Sequence, residues 1–344
     1  MRNLYRSICG LFVIVSFAFL LFIGGCSEKT SDLKPEHNTE MKHRKASVLL
    51  WSKQEHFADV MSVVFSPNGK VIVSGADTPD SQIIFWRWNT GEILQKLENE
   101  NHWSIDISAD GAFLAAGGVE GIQIWSVSDV NGFEETLRIR GEGREVAFSP
   151  DNRVIAGGGM EQVIGLWAIN TGEPVGELEL NGWCWSLAFS PDGKLIAGGG
   201  EPDIDILEVA TGKTLFTLKT YSPDMRYDAN IGTFSLVFSP DGRTLATGGA
   251  DNILRVWDVA TGTLVKEYPR RESVIKTLEF SPDGKRLAVG CFRELFLLEL
   301  ESGEVEILEE NTTPINTVAF SPDGRFLASG GNDQTVKMWE LSGG

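Results

Sequence analysis

Phe189-Ser190-Pro191-Asp192-Gly193 decides how this chain folds, because it recurs. The same five residues stand at Phe238–Gly242, Phe280–Gly284 and Phe320–Gly324. Variants lie at Phe65–Gly69, with Asn68 in the Asp place, and at Phe148–Asn152, with Asn152 in the Gly place. A third lies at Ile107–Gly111, where Ile107 and Ala109 replace Phe and Pro. From the start of one copy to the next the steps are 42, 41, 41, 49, 42 and 40 residues. Such a period marks a repeat architecture, in which one small unit needs its neighbours to bury its apolar face.

The residues around the motif define the unit. An alternating apolar run precedes it, as in Ser186–Phe189 or Thr317–Phe320. The motif itself is a tight turn: Pro presets φ near −65°, Asp tolerates the next position, and Gly takes φ > 0. A run of small and apolar residues follows, as in Leu195–Gly199 and Leu327–Gly331. A third strand ends at Trp86, Trp125, Trp167, Leu207, Trp257, Leu298 or Trp339, and a Thr-Gly or Ser-Gly turn leads to a fourth. Four short antiparallel strands make a sheet that cannot cover both its faces alone. Stacked radially, each sheet covers the next, which is the logic of a propeller.

In period, turn motif and third-strand Trp, the chain resembles a seven-bladed WD-repeat propeller from Ala46 to Gly344. The resemblance implies an all-β fold of seven four-stranded antiparallel blades. The last blade lacks an outer strand after Trp339, so Ala46–Lys53 is expected to supply it and close the ring, removing an open sheet edge. The family's polar network of His, turn Asp, Ser or Thr, and Trp implies structural roles for His56, Trp86, Thr247, Asp251, Trp257, Ser329, Asp333 and Trp339. The network is incomplete in most blades. Its His position reads Ile139, Leu180, Ala229, Arg271 and Asn311 elsewhere, and the Trp-Asp dipeptide occurs only at Trp257-Asp258.

Residues 1–25 read as a secretory signal. Arg2 and Arg6 precede an apolar Gly10–Ile23 interrupted only by Ser16, and Gly24-Gly25 stand before Cys26. Ile23–Ser27 resembles the lipobox of bacterial lipoproteins, which implies cleavage, lipid on Cys26 and, with Ser27 rather than Asp, delivery to the outer membrane. An uncleaved anchor stays open, since Ile8–Gly25 is 18 mostly apolar residues, near the lower limit for a span. Both readings place the propeller outside the cytoplasm on a membrane tether. Residues 26–45, the lipidated Cys and a polar linker, reach roughly 25 Å as a flexible chain.

Aligning the seven repeats separates framework from variable positions. Two residues before each motif stand Val63, Ile105, Val146, Leu187, Leu236, Leu278 and Val318, uniformly apolar as a core layer requires. Four before stand Met61, Trp103, Arg144, Trp185, Phe234, Lys276 and Asn316, which share no one environment. By the resemblance this position lies on the top rim, where partners dock, and Trp183 lies near it. Trp, Phe, Met and Arg suit an interface hot spot. That these aromatics plug the channel or pack on neighbouring loops stays open. The 49-residue step places a surplus at Lys219–Thr233, where Tyr221 and Tyr227 mark a contact loop or a bare insertion.

Chemistry finds little support. His37 and His43 fall in the linker, and His102 has no spaced partner for a metal. Gly157–Gly159 and Gly198–Gly200 end strands instead of opening helices, so they are no phosphate loops. No catalytic residue, metal ligand or cofactor is expected. Asp77, Glu120, Glu161, Asp203, Asp251 and Asp333 read as turn caps, with a cation-collecting ring as the alternative. Cys184 and Cys291 fall in blades 4 and 6, which are not neighbours, so no disulfide joins them.

The net charge is −18, and loss of 1–25 with Arg2 and Arg6 makes it −20. That repels nucleic acid and favours basic partners. The expectation is a monomeric, non-catalytic scaffold that binds protein partners through its top rim. The alternative is an enzyme or a small-ligand or metal receptor using the channel mouth.

Overall fold

The computed structural model describes residues 47–98, 103–128, 132–141, 143–220, 232–269, 271–310 and 313–342. Among these residues there is no helix, hence none long and apolar enough to cross a membrane. The expected signal, Cys26, the linker, Ala46, His102, Tyr221, Tyr227 and Asn311 lie outside the described residues.

Strand β1 (Val48–Lys53) comes first. Blade 1 is β2 (Val60–Phe65), β3 (Val71–Ala76), β4 (Gln82–Arg87) and β5 (Ile93–Glu98). Blade 2 is β6 (Ser104–Ile107), β7 (Phe113–Gly118), β8 (Gly121–Ser128) and β9 (Gly132–Arg140). Blade 3 is β10 (Glu145–Phe148), β11 (Val154–Gly158), β12 (Val163–Ala168) and β13 (Pro174–Glu179). Blade 4 is β14 (Trp183–Phe189), β15 (Leu195–Glu201), β16 (Ile204–Glu208) and β17 (Thr214–Leu218). Blade 5 is β18 (Thr233–Phe238), β19 (Thr244–Gly249), β20 (Arg255–Asp258) and β21 (Thr263–Glu267). Blade 6 is β22 (Ile275–Phe280), β23 (Arg286–Cys291), β24 (Glu294–Glu299) and β25 (Val305–Glu310). Blade 7 takes β26 (Ile315–Phe320), β27 (Phe326–Gly331) and β28 (Val336–Glu340).

Every sheet has four antiparallel strands in sequence order, except that blade 7 runs β1-β28-β27-β26. The N-terminal strand therefore closes the ring as the sequence requires. Its anchor is Trp51, whose ring lies 6.1 Å from Trp86 and whose Nε1–H donates to the Trp88 carbonyl at 2.9 Å.

The repeated motif turns as its residues dictate. Gly69, Gly111, Gly193, Gly242, Gly284 and Gly324 all hold φ between 67° and 72°, and Asn152 holds 58° in the same place. The motif Ser adds a role: Ser190 Oγ donates to Asp192 Oδ1 at 2.7 Å and accepts the Leu195 N–H at 3.0 Å. These turns stack around one end of the ring, each Pro beside the Gly of the next blade, as Pro191 is beside Gly242. Blade 2 has Ala109 instead of Pro, and its spare N–H donates to Asn152 Oδ1 at 2.9 Å. The two departures from the motif complete one another.

The core lies between blades. Val63, Ile105, Val146, Leu187, Leu236, Leu278 and Val318 are at most 6% exposed. The cluster joining blades 7 and 1 holds Trp51, Val60, Ile72 and Trp86 with Ala328, Val336 and Met338. Hydroxyls on the innermost strands stitch neighbours together. Thr317 Oγ1 accepts the Val63 N–H, Ser62 Oγ that of Ile105, Ser186 Oγ that of Leu236 and Ser235 Oγ that of Leu278, at 2.9–3.2 Å. Glu145 stands where the other blades have Ser or Thr.

Candidate functional site: the rim opposite the repeated turns

The repeated turns occupy one end of the ring. The other end, the rim, is formed by the connections from second to third strand and from each blade to the next. Here the first strands of blades 1, 4, 5, 6 and 7 each carry a β-bulge at Met61, Trp185, Phe234, Lys276 and Asn316. A bulge sets two residues against one and re-aims the extra side chain. Trp103 and Arg144 stand immediately before β6 and β10, in the corresponding places. The variable positions are thus variable because the ladder leaves them outside its regular pairing.

These side chains meet across blade boundaries. Trp183 and Trp185 have ring centroids 6.1 Å apart, and Trp185 stacks on Phe234 at 5.4 Å and 5°. Lys276 Nζ lies 4.8 Å from the Phe234 ring and 5.7 Å from that of Phe292. On the far side, the Arg144 guanidinium lies 4.3 Å above Trp103, whose Nε1–H donates to Asp77 Oδ1 at 3.2 Å. Asn316 Nδ2 donates to the Val60 carbonyl at 3.1 Å and to Asn332 Oδ1 at 2.7 Å, beside Met61 Sδ. The rim residues pack on their neighbours and still reach water: all seven are half-buried, and Trp183 is 39% exposed.

The exposed apolar side chains divide by place. Val48, Leu49, Leu50, Leu94, Val175, Leu215, Leu264 and Val265 lie on outer strands. The others are Phe57, Val119, Met160 and Phe292 on loops and Trp183 at the start of β14, and every one is at the rim end. Among the described residues none is on a loop of the turn end. Counting back from the motif reaches Trp183 but not Phe57, Val119, Met160 or Phe292, because loop lengths differ between blades. Their signal in the sequence is an apolar residue within a loop between two strands.

The polar network behind the rim is complete in blade 1. Trp86 Nε1–H donates to Ser74 Oγ at 2.8 Å, Ser74 lies 2.8 Å from His56 Nε2, and His56 Nδ1 lies 2.7 Å from Asp80 Oδ2. Indole only donates, so the Ser74 proton points to His56, which leaves Nδ1–H for Asp80. Burial lowers the His56 pKa against the pull of Asp80, which suits this neutral tautomer. Thr247 and Ser329 accept from Trp257 and Trp339 at 2.9 and 3.2 Å.

Asp251 and Asp333 correct the expectation drawn from the resemblance: neither meets a His. Asp251 pairs with Arg255 at 2.6 Å and Asp333 with Lys337 at 2.7 Å, while each also caps its turn. Blade 6 substitutes Arg271–Glu294 at 2.6 Å, and blade 4 substitutes Asn181–Asp205. The pairs in blades 4 and 6 start, like His56, from the segment before the first strand, while those of Asp251 and Asp333 lie within one turn and its third strand.

Three carboxyls sit on the inner strands away from any cation. Asp106 Oδ2 accepts the Phe148 N–H and Glu279 Oε2 the Phe320 N–H, each at 2.7 Å across a blade boundary. Burial pushes Glu279 up to about 8 and Asp106 up to about 6, against those N–H bonds. Burial, with Asp106 nearby, also pushes Glu145 up to about 8. Cys184 and Cys291 are buried and free. Among the described residues no group of three or more His, Cys, Asp or Glu is placed to hold a metal ion.

Seven four-stranded blades closed by the first strand, with an aromatic rim opposite stacked turns, define a seven-bladed β-propeller. The family model "WD domain, G-beta repeat" (WD40) matches residues 47–87, 172–202, 222–258 and 303–340. The chain is thus a propeller that carries WD40 repeats. It is 31% identical over 113 residues to Protein HIR1 of the fungus Eremothecium gossypii, a match covering 27% of this chain and 14% of HIR1.

Proposed function

We propose that this chain is a non-catalytic platform that docks protein partners on its rim, from a lipid anchor at Cys26 outside the cytoplasm. Residues 1–25 would be the cleaved signal, 26–45 the tether and 46–344 a monomeric propeller. WD40 propellers bind protein partners as a class, and the observation that carries the reading here is where the exposed large apolar residues off the outer strands lie. A rigid ring offers Phe57, Val119, Met160, Trp183 and Phe292 at one end, and among the described residues no exposed large apolar side chain on a loop at the other. Met61, Trp103, Arg144, Trp185, Phe234, Lys276 and Asn316 form the half-buried floor beneath them. Their packing across blades fixes the rotamers in advance, which lowers the ordering cost of binding.

The test is recovery of partners from native membranes by the chain carrying Trp103→Ala and Trp185→Ala together, with Val265→Ser on an outer strand as control. The double variant, once shown to be folded, should lose partners that the control keeps; equal recovery rejects the rim. The same fractions test the tether, since Cys26→Ser should leave the membrane pellet, and its full retention there argues against the lipid.

A further inference from the structure

Several cations of the rim are ion-paired; Lys276, like Arg144, has no such partner among the described residues. At the rim end Lys219 meets Asp203, Arg255 meets Asp251, Arg271 meets Glu294 and Lys337 meets Asp333. Lys276 is half-buried, and no carboxylate among the described residues lies within ion-pair distance of it. Its ammonium instead rests against the faces of Phe234 and Phe292. Aromatic faces hold a cation in place but leave its charge uncancelled. Burial lowers the Lys276 pKa. In a chain with 48 acidic side chains against 30 basic ones, Lys276 rests against two aromatic rings with no carboxylate among the described residues beside it. Beside it the stack continues through Trp185 to Trp183, and both Trp183 and Phe292 (41%) are open to water.

We propose that blades 4–6 of the rim bind an acidic, apolar segment of a partner protein, whose carboxylate pairs with Lys276 while its apolar side chain lies against Trp183 and Phe292. This rests on the rim being the docking face and adds the chemistry of what docks. The molecule as a whole favours basic partners, so this site selects against its own net field. That gives specificity: an acidic segment is attracted only where the ammonium stands close, and apolar walls that exclude water lower the local dielectric and strengthen the pair there.

The test is a fluorescence-anisotropy titration of the full chain with dye-labelled dodecapeptides in a glycine-serine background. One carries aspartates flanking a central phenylalanine, and a second has lysines in place of the aspartates. The acidic peptide should bind at least about ten-fold tighter than the basic one, and Lys276→Met should erase that preference, a loss on the order of ten-fold. Lys276→Arg should keep it, and Trp183→Ser should weaken binding of the acidic peptide. Wild-type melting temperatures for these variants establish that they fold.

Absence of binding by the acidic peptide, equal binding of both peptides, or wild-type binding by Lys276→Met overturns the proposal. Binding indifferent to charge but dependent on Trp183 overturns the acidic partner and keeps the rim. Binding dependent on neither residue removes both. Acidic-peptide binding that emerges only after Asp224→Asn and Asp228→Asn, the two acids of the Lys219–Thr233 insertion, would make the chain itself the occupant, which also overturns it.

Discussion

At the residue scale, the most informative pair is Ala109 and Asn152. The turn at 152 needs φ near 58°, which Asn tolerates and Ala does not, and the Asn side chain also accepts the Ala109 N–H. Asn152→Ala should therefore cost about 1–2 kcal/mol, since an L-residue with a Cβ is strained there and the bond between blades is lost. Asn152→Gly should cost less. Ala109→Pro combined with Asn152→Gly should recover wild-type stability, because it restores the arrangement seen between Pro191 and Gly242. Urea unfolding midpoints of the four proteins decide it, and a neutral Asn152→Ala would show that neither feature matters. Both departures were visible in the sequence as departures. Their complementarity was not, because it requires knowing that each turn sits against the next.

Among the elements, β1 bears the closure of the ring. It pairs with β28 from Val48–Glu340 to Lys53–Val336 and buries Trp51 between blades 7 and 1. Trp51→Ala should destabilise the fold by about 3–5 kcal/mol, as removal of a buried indole does elsewhere. Deletion of 46–53 should leave β28 as an open edge, giving a protein that aggregates or is quickly proteolysed. A truncated chain that stays soluble and melts like the parent would refute the closure. The strands themselves were legible because alternation, turn residues and period all agree. The bulges were not: a register shift such as that between Val60 and Ser62 belongs to the pairing of two strands, and one strand's residues do not announce it. The partners of Asp251 and Asp333 escaped for a similar reason, since Arg255 and Lys337 lie on third strands where the repeat has no fixed charge.

For the whole molecule, the inner carboxyls tie stability to pH. Glu145 and Glu279 hold their protons up to about pH 8 when folded, against 4.5 for an unperturbed Glu. The folded state thus binds protons at these two groups that the unfolded chain has released, so their contribution to stability is full below about 4.5 and declines as pH rises toward 8. Glu279→Gln keeps an acceptor for the Phe320 N–H and removes the titration. It should match the wild type near pH 4.5 and melt a few degrees higher at pH 8 or above. A wild-type melting temperature that stays flat or rises across that window would contradict this. The same scale holds the division between the two ends of the ring, on which the functional reading stands. It is tested most directly by placing a photo-crosslinking amino acid at Trp183 on the rim, at Asn68 on the turn end and at Val265 on an outer strand, then irradiating native membranes. Adducts to a discrete partner should form from position 183 alone and vanish when Trp103→Ala and Trp185→Ala are added. Equal adducts from position 68, or adducts at 183 that survive the double substitution, would contradict it.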